Sequence, residues 1–226
     1  MPQPSAPWRQ VEFCVLDFEI TGLDPRSDEI LSYGTVTVAG GRLSLADARH
    51  QLVRPAGMPS GETIRIHGLR EADLLDAPPL AEAIGPLLEV LTGRAVVAHA
   101  AVIERSFLRA ALASVGIEMR NSFVDTAALA AELGRLTGRF GGGRSVIGLS
   151  DLARSLALPV HRPHHADGDA LTTAQVFLAL ATHLEAVRGE MTLGRMEALE
   201  ELARPRTSPA ARVLSRALGA ARRIRP

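Results

Sequence analysis

A short apolar run that ends in two carboxylates constrains this chain more than any other feature. Val11 to Phe18 reads as a buried strand, and Asp17-Phe18-Glu19 closes it just before Thr21-Gly22-Leu23-Asp24-Pro25. Alternate residues of a strand share a face, so Asp17 and Glu19 project together from backbone positions about 6.6 Å apart. Two carboxylates leaving a hydrophobic strand repel each other and lose hydration unless a cation lies between them. Mg²⁺ and Mn²⁺ prefer hard oxygen ligands, so this segment points to metal-assisted chemistry.

The size fits one substantial core with an appendage, at 226 residues of which 46% are apolar. The single cysteine, Cys14, lies inside the expected strand, which excludes an internal disulfide and suits a reducing compartment. Met1–Gln10 is Pro-rich, lacks the apolar core of a signal peptide and is expected to be flexible. No stretch of eighteen apolar residues runs uninterrupted, so a cytoplasmic protein with no membrane partner is expected.

A formal net charge of zero conceals an asymmetry. All 25 basic residues are arginine, and seven of them (204, 206, 212, 216, 222, 223, 225) follow Leu202 with no Asp or Glu. The tail is therefore +7, and residues 1–201, with 18 arginines against 25 acids, are −7. An acidic body with a basic tail suggests metal-binding carboxylates in one part and a polyanion or acidic partner for the other.

Hydrophobic patterning predicts strands at Val11–Phe18, Glu29–Val38 and Arg42–Val53, with Gly40-Gly41 turning the last two into a hairpin. Helical spacing covers Leu80–Leu91, Val102–Val115, Gly148–Ala157 and Ala166–Val187. Short apolar strands are expected at Ala95–Ala98 and Asn121–Val124, with Asp125 capping the helix that follows. Arg135–Arg144 is a Gly- and Arg-rich interruption, and the tail has room for helices at Thr192–Ala203 and Pro209–Ala221. Three antiparallel strands followed by alternating helices and strands indicate an α/β fold, a mixed sheet flanked by helices.

Further carboxylates are candidates to join Asp17 and Glu19. Glu104 is followed at i+3, i+4 and i+7 by Phe107, Leu108 and Ala111, so it falls on or beside an apolar helix face where a lone carboxylate is costly. The opposing reading is a carboxylate at the edge of that face, snorkelling to water. Asp167 and Asp169 occupy a first helical turn, where the macrodipole keeps a carboxylate ionised; helix capping alone accounts equally for either. A histidine just outside that helix and five residues from a carboxylate has a pKa suited to a general base. His50, His161 and His183 are set aside as ordinary surface or hydrogen-bonded histidines, and Asp125 as a helix cap.

These motifs, in this order, resemble the DEDDh branch of the 3′–5′ exonucleases, the DnaQ-like group that includes the proofreading subunit of bacterial DNA polymerase III. Asp17-Phe18-Glu19-Ile20-Thr21-Gly22-Leu23-Asp24-Pro25 is close to the family's D-x-E-T-T-G-L-D-P. Gln51-Leu52-Val53-Arg54-Pro55 and Ile66-His67-Gly68-Leu69 resemble its connecting segments, and Val97 to Glu104 its V-A-H-N-A-x-F-D. His164-His165-Ala166-Asp167-Gly168-Asp169 matches H-x-A-x-x-D. The likeness spans about residues 11–185. It departs from the family at Ala100, where the family has Asn, and at Ile103-Glu104, where the family has Phe-Asp.

The resemblance implies a ribonuclease H-like mixed five-stranded sheet, an exonuclease domain over 11–187 and a helical, Arg-rich C-terminal extension over 188–226. It implies two divalent metal ions, Mg or Mn, held by Asp17, Glu19, Glu104 and Asp169. His164 is the implied general base, chosen over His165 because its spacing to Asp169 fits the motif. Thr21, Gly22, Leu23, His67 and His99 are the implied substrate contacts. The expected partner is single-stranded or 3′-ended DNA or RNA, with a DNA polymerase as a second partner. The alternative is a weakened exonuclease-like domain that holds nucleic acid or a polymerase without cleaving.

Two other features carry less. Gly138 to Ser145 imitates a phosphate-binding loop but has Arg144 for the lysine and follows a helix rather than a strand. In the tail, Val213, Leu214, Ala217, Leu218 and Ala221 repeat with helical spacing beside Arg212, Arg216 and Arg223, a basic amphipathic pattern suited to nucleic acid, a partner or the acidic body itself.

Overall fold

The computed structural model describes residues 1–57, 61–140 and 147–203. Alternating apolar residues build the first hairpin meander: β1 (Phe13–Ile20) pairs antiparallel with β2 (Ile30–Ala39), which pairs antiparallel with β3 (Arg42–Leu52). Gly40 and Gly41, at φ 61° and 70°, make the β2–β3 turn in a conformation that suits glycine. Short helices α1 (Gly61–His67) and α2 (Glu71–Leu74) precede α3 (Leu80–Leu91). Then come β4 (Ala95–Ala98), α4 (Val102–Ser114), β5 (Phe123–Asp125), α5 (Thr126–Thr137), α6 (Leu149–Ser155), α7 (Ala166–Arg188) and α8 (Leu193–Ala203).

The five strands form one sheet in the order β3-β2-β1-β4-β5, with β1 antiparallel to β2 and parallel to β4. This is the mixed, helix-flanked α/β sheet that the patterning predicts. One face, carrying Phe13, Val15, Val36 and Val97, is covered by α5, α6 and α7. The other, carrying Cys14, Leu16 and Phe18, packs on α3 and α4 through Leu87, Phe107, Leu108 and Leu112. Buried on both faces, the central strand is apolar almost throughout, and Asp17 and Glu19 are its exceptions.

The pairing also corrects the extent of β1. Its ladder with β2 continues to Ile20, two residues past the expected end at Phe18, with an irregularity between Glu19 and Ile20, so Glu19 as well as Asp17 stands inside the strand. They share the face of Phe13 and Val15, over which the first turn of α7 lies. In the interruption expected at 135–144, Arg135 to Thr137 still belong to α5, which ends at Gly138 in the left-handed conformation. Residues 141–146, the helix expected at 209–221 and the arginines beyond Ala203 lie outside the described residues.

The terminal segments differ from expectation. Residues 1–10 are docked rather than flexible: Trp8 is 1% exposed, its ring edge meets Phe177 at 5.9 Å, and Pro7 bridges to Thr192. The Trp8 indole N–H donates to Glu185, which also pairs with Arg9. On the C-terminal side, α8 buries Leu193 and Met196, and its Glu200 pairs with Arg105 of α4. The packed unit therefore runs past 187 and takes in α8. The reason is the same at both ends: Trp8 on one side and Leu193 and Met196 on the other are buried in the apolar cluster of α7.

The long apolar helix α7 is a core element. Half of its most apolar eighteen-residue window is buried within the domain, and its first turn carries Asp167 and Asp169.

Candidate active site

Three carboxylates meet where β1 passes under the start of α7. Asp17, Glu19 and Asp169 each offer an oxygen, and these oxygens lie within 4.8 Å of one another. Strand period two supplies the first pair, and the first turn of α7 supplies the third. Asp167, two residues earlier, turns away and pairs with Arg162 at 2.8 Å. The structure thus separates two aspartates that helix capping alone does not distinguish.

The approach of α7 depends on missing side chains. A Cβ at Gly34, directly across the ladder from Asp17, would stand 2.1 Å from the backbone oxygen of Ala166. A Cβ at Gly168 would stand 2.3 Å from the carbonyl of His161. Both glycines let backbone approach backbone, and a glycine in mid-strand is the sequence signal for such a contact.

Glu104 is the fourth carboxylate. It is 6% exposed, in the first turn of α4, and its Oε2 has no hydrogen-bond partner among the described residues. It does not snorkel to water. Its charge is felt at Asp17, which burial first, and then Glu104, Asp169 and Glu19, push well above the usual carboxylate range. Glu19 is pushed up to about 8 by burial, with Asp169 adding to it. Burial also pushes Glu104 up to about 8, opposed by its own amide and assisted by Asp125 and Glu19. Asp169 is raised by burial against the pull of the His164 amide and the two adjacent histidines. Asp17, Glu19 and Asp169 converge as hard oxygen donors, and Glu104, outside that group of three but near enough to raise Asp17, adds an orphaned buried oxygen, a donor set that fits a divalent cation.

His164 lies outside the N-terminus of α7 in the left-handed conformation, φ 61°. Its amide donates to Asp169 Oδ2 at 2.9 Å, and its side chain is exposed. The loop after β1 is tightly held. Thr21 Oγ1 accepts from the Glu29 amide at 2.9 Å, Asp28 accepts from the Asp24 amide at 2.8 Å, and the Asp28 carboxylate fills the place a Cβ on Gly22 would take. Leu23 is half-buried in the same loop.

The two remaining expected contacts behave differently. His67 is buried; its Nδ1 accepts from the Leu69 amide, and its Nε2 has no partner among the described residues. His99 has both ring nitrogens engaged within the protein, with Thr126 Oγ1 at 2.9 Å and the Ile147 carbonyl at 3.0 Å. These bonds give His99 a structural role that the expected substrate contact does not include. His99 straps β4 to α5 and to the segment before α6, and burial lowers its pKa.

Asp125, set aside as a cap, caps α5 through the Ala127 amide at 2.8 Å and does more. The same carboxylate oxygen accepts from the Ala100 amide at 2.9 Å, fixing the turn that launches α4 and hence Glu104. The cap was legible in the sequence; the reach across 25 residues to Ala100 was not.

The profile of the exonuclease family (RNase_T) matches residues 14–177. The chain belongs to this family, in its DnaQ-like 3′–5′ branch. Every carboxylate of the cluster described above falls inside the matched segment. This exonuclease domain is 35% identical over 190 residues to the PolC-type DNA polymerase III of Thermotoga maritima, covering 84% of this chain and 13% of that protein. It is 32% identical over 191 residues to a DNA polymerase III subunit epsilon-like protein of Rhodobacter capsulatus, covering 83% of this chain and 26% of that one. The chain thus spans a small part of these relatives. Among solved structures, E. coli exonuclease I in complex with a dT13 oligonucleotide superposes with a TM-score of 0.69 at 14% identity, over 78% of this chain and 42% of that one, a likeness of fold.

Proposed function

We propose that this exonuclease domain hydrolyses nucleic-acid strands from the 3′ end and releases nucleoside 5′-monophosphates. The observation that carries the reading is the convergence of Asp17, Glu19 and Asp169 within 4.8 Å, with the orphaned Glu104 oxygen beside them. Asp17, Glu19, Glu104 and Asp169 would hold two divalent ions, Mg or Mn, which would supply Lewis-acid polarisation of the scissile phosphate and lower the pKa of bound water.

The chain's own side chains do the rest. His164 takes the proton from the attacking water, since its ring is exposed and its backbone is tied to Asp169. The turn at Thr21, Gly22 and Leu23 receives the terminal nucleotide through the main-chain amides of Gly22 and Leu23, and its rigidity, fixed by Asp28 and Glu29, holds the phosphodiester in register. His67 adds a hydrogen bond through its unpartnered Nε2. The exonuclease I relative is bound to single-stranded DNA, and the polymerase III relatives suggest a replication polymerase as a second partner.

Release of mononucleotides from a 3′-labelled strand in Mn²⁺ tests the reading. Asp17→Asn and His164→Ala lose release while remaining folded; full activity in either variant refutes the site as drawn. A non-cleaving binding module of the same fold predicts instead that wild type retains the strand uncut and gains no thermal stability from millimolar Mn²⁺.

A further inference from the structure

A second site lies far from the carboxylates. Helices α5, α8 and the C-terminal end of α7 enclose a groove of about 520 Å³. Arg188, at its edge, is nineteen residues along α7 from Asp169, which places it about 28 Å away. On α8, Arg195, Leu199 and Leu202 fall at i, i+4 and i+7, so they form one stripe along the groove, and Leu202 is 83% exposed. Met191 supplies apolar floor from the turn between α7 and α8.

Charge selects the occupant. Arg135, Arg188 and Arg195 line the groove against a single carboxylate, Glu132, which is shared by Arg135 at 2.8 Å and Arg188 at 3.0 Å. Arg195 has no carboxylate partner among the described residues. The groove is +2 on a body that is −7 over residues 1–201. Its apolar stripe gives large side chains a seat, but among the described residues no aromatic lines it for nucleic-acid bases to stack on. The sequence beyond Leu202 carries seven arginines and no carboxylate, so its charge does not complement the groove. Arginine and methionine are both enriched at protein–protein interfaces, and here they flank an exposed leucine.

We propose that this groove docks an acidic segment of a partner protein, with large apolar side chains spaced between its carboxylates.

Random dodecapeptides displayed on phage, selected on the full chain and counter-selected on the Arg195→Glu/Leu202→Ser double variant, test this directly. Both substituted side chains are exposed, so the variant folds, and its melting temperature and release of mononucleotides match wild type. The expected result is enrichment of net-negative peptides with two or more Leu, Ile, Phe or Met. A fluorescein-labelled copy binds wild type at least about tenfold more tightly than the variant by anisotropy, and a chain ending at Ala203 binds it equally well. Absence of an acidic-apolar consensus, or equal binding to the variant, overturns the proposal. Displacement by a thymidine oligonucleotide reassigns the groove to nucleic acid, and binding that appears only after removal of residues 204–226 reassigns it to the chain's own tail; either outcome overturns it.

Discussion

Asp17 faces Gly34 across the β1–β2 ladder, and the space left by the missing side chain of Gly34 is occupied by the backbone of Ala166. The first turn of α7 descends into that space and brings Asp169 to within reach of Asp17 and Glu19. The acidic cluster is therefore built on a helix–strand contact that a single methyl group would break.

Gly34→Ala is expected to force the start of α7 away from the sheet. The clash is with backbone, not with the end of a flexible side chain, so the cost is about 3 kcal/mol of stability. Urea unfolding measures that cost, and the stabilisation by Mn²⁺ should shrink with it. A Gly34→Ala protein with wild-type stability and an undiminished metal response contradicts the contact.

Crowded carboxyls make the metal-free protein sensitive to pH in a defined direction. Glu19 and Glu104 ordinarily titrate at 4.5 and are pushed up to about 8 in the fold. A group raised in this way favours the folded state below its unfolded value and loses that contribution as pH rises through the folded value. In EDTA the melting temperature should fall from about pH 5 to pH 8, by an amount on the order of 10 °C. Millimolar Mn²⁺ at pH 8 should restore it, and Glu104→Gln should flatten part of the slope. A melting temperature that rises over this window in EDTA refutes the electrostatic description.

Ala100 holds a left-handed backbone conformation, φ 57°, that costs a residue with a Cβ roughly 1 kcal/mol. The strain persists because the Ala100 amide donates to Asp125 and the adjoining His99 ring is fastened at both nitrogens. Asn tolerates this conformation better than alanine. Ala100→Asn should therefore stabilise the protein by about 0.5–1 kcal/mol in denaturant unfolding, without altering the metal response; a loss of stability would show that the turn is not strained.

Which parts of the site were legible follows from the range of the interactions. Asp17 and Glu19 share a face because strands alternate, so that pair follows from local periodicity; Asp167 and Asp169 both open α7, and only the packing of that turn on β1 selects Asp169. Glu104 could be placed on an apolar face by spacing alone, but that it stays buried with an unpartnered oxygen depends on packing of α4 against the sheet. His99 reads in sequence as a polar residue at a strand end; its role as a strap needs Thr126 and Ile147, 27 and 48 residues away. The N-terminal segment was least legible, because Pro-rich composition describes the backbone and says nothing of where one tryptophan lands.

That tryptophan gives the remaining prediction. Trp8 is buried against Phe177, which itself stacks edge-on to Phe13 of β1 at 4.8 Å, so the N-terminal segment is joined through two rings to the strand that carries the carboxylates. The indole N–H donates to Glu185 at 3.1 Å, and Arg9 lies over the ring at 4.3 Å while pairing with the same glutamate. Removing the ring opens a cavity at the end of α7 and leaves Glu185 with only a solvent-exposed pair, which is worth little by itself. Trp8→Ala should cost about 3–5 kcal/mol, whereas Arg9→Ala should cost under about 1 kcal/mol. The contrast between the two, measured by urea unfolding, separates a packed anchor from a surface ion pair. A Trp8→Ala protein as stable as wild type would mean that residues 1–10 do not seal the core.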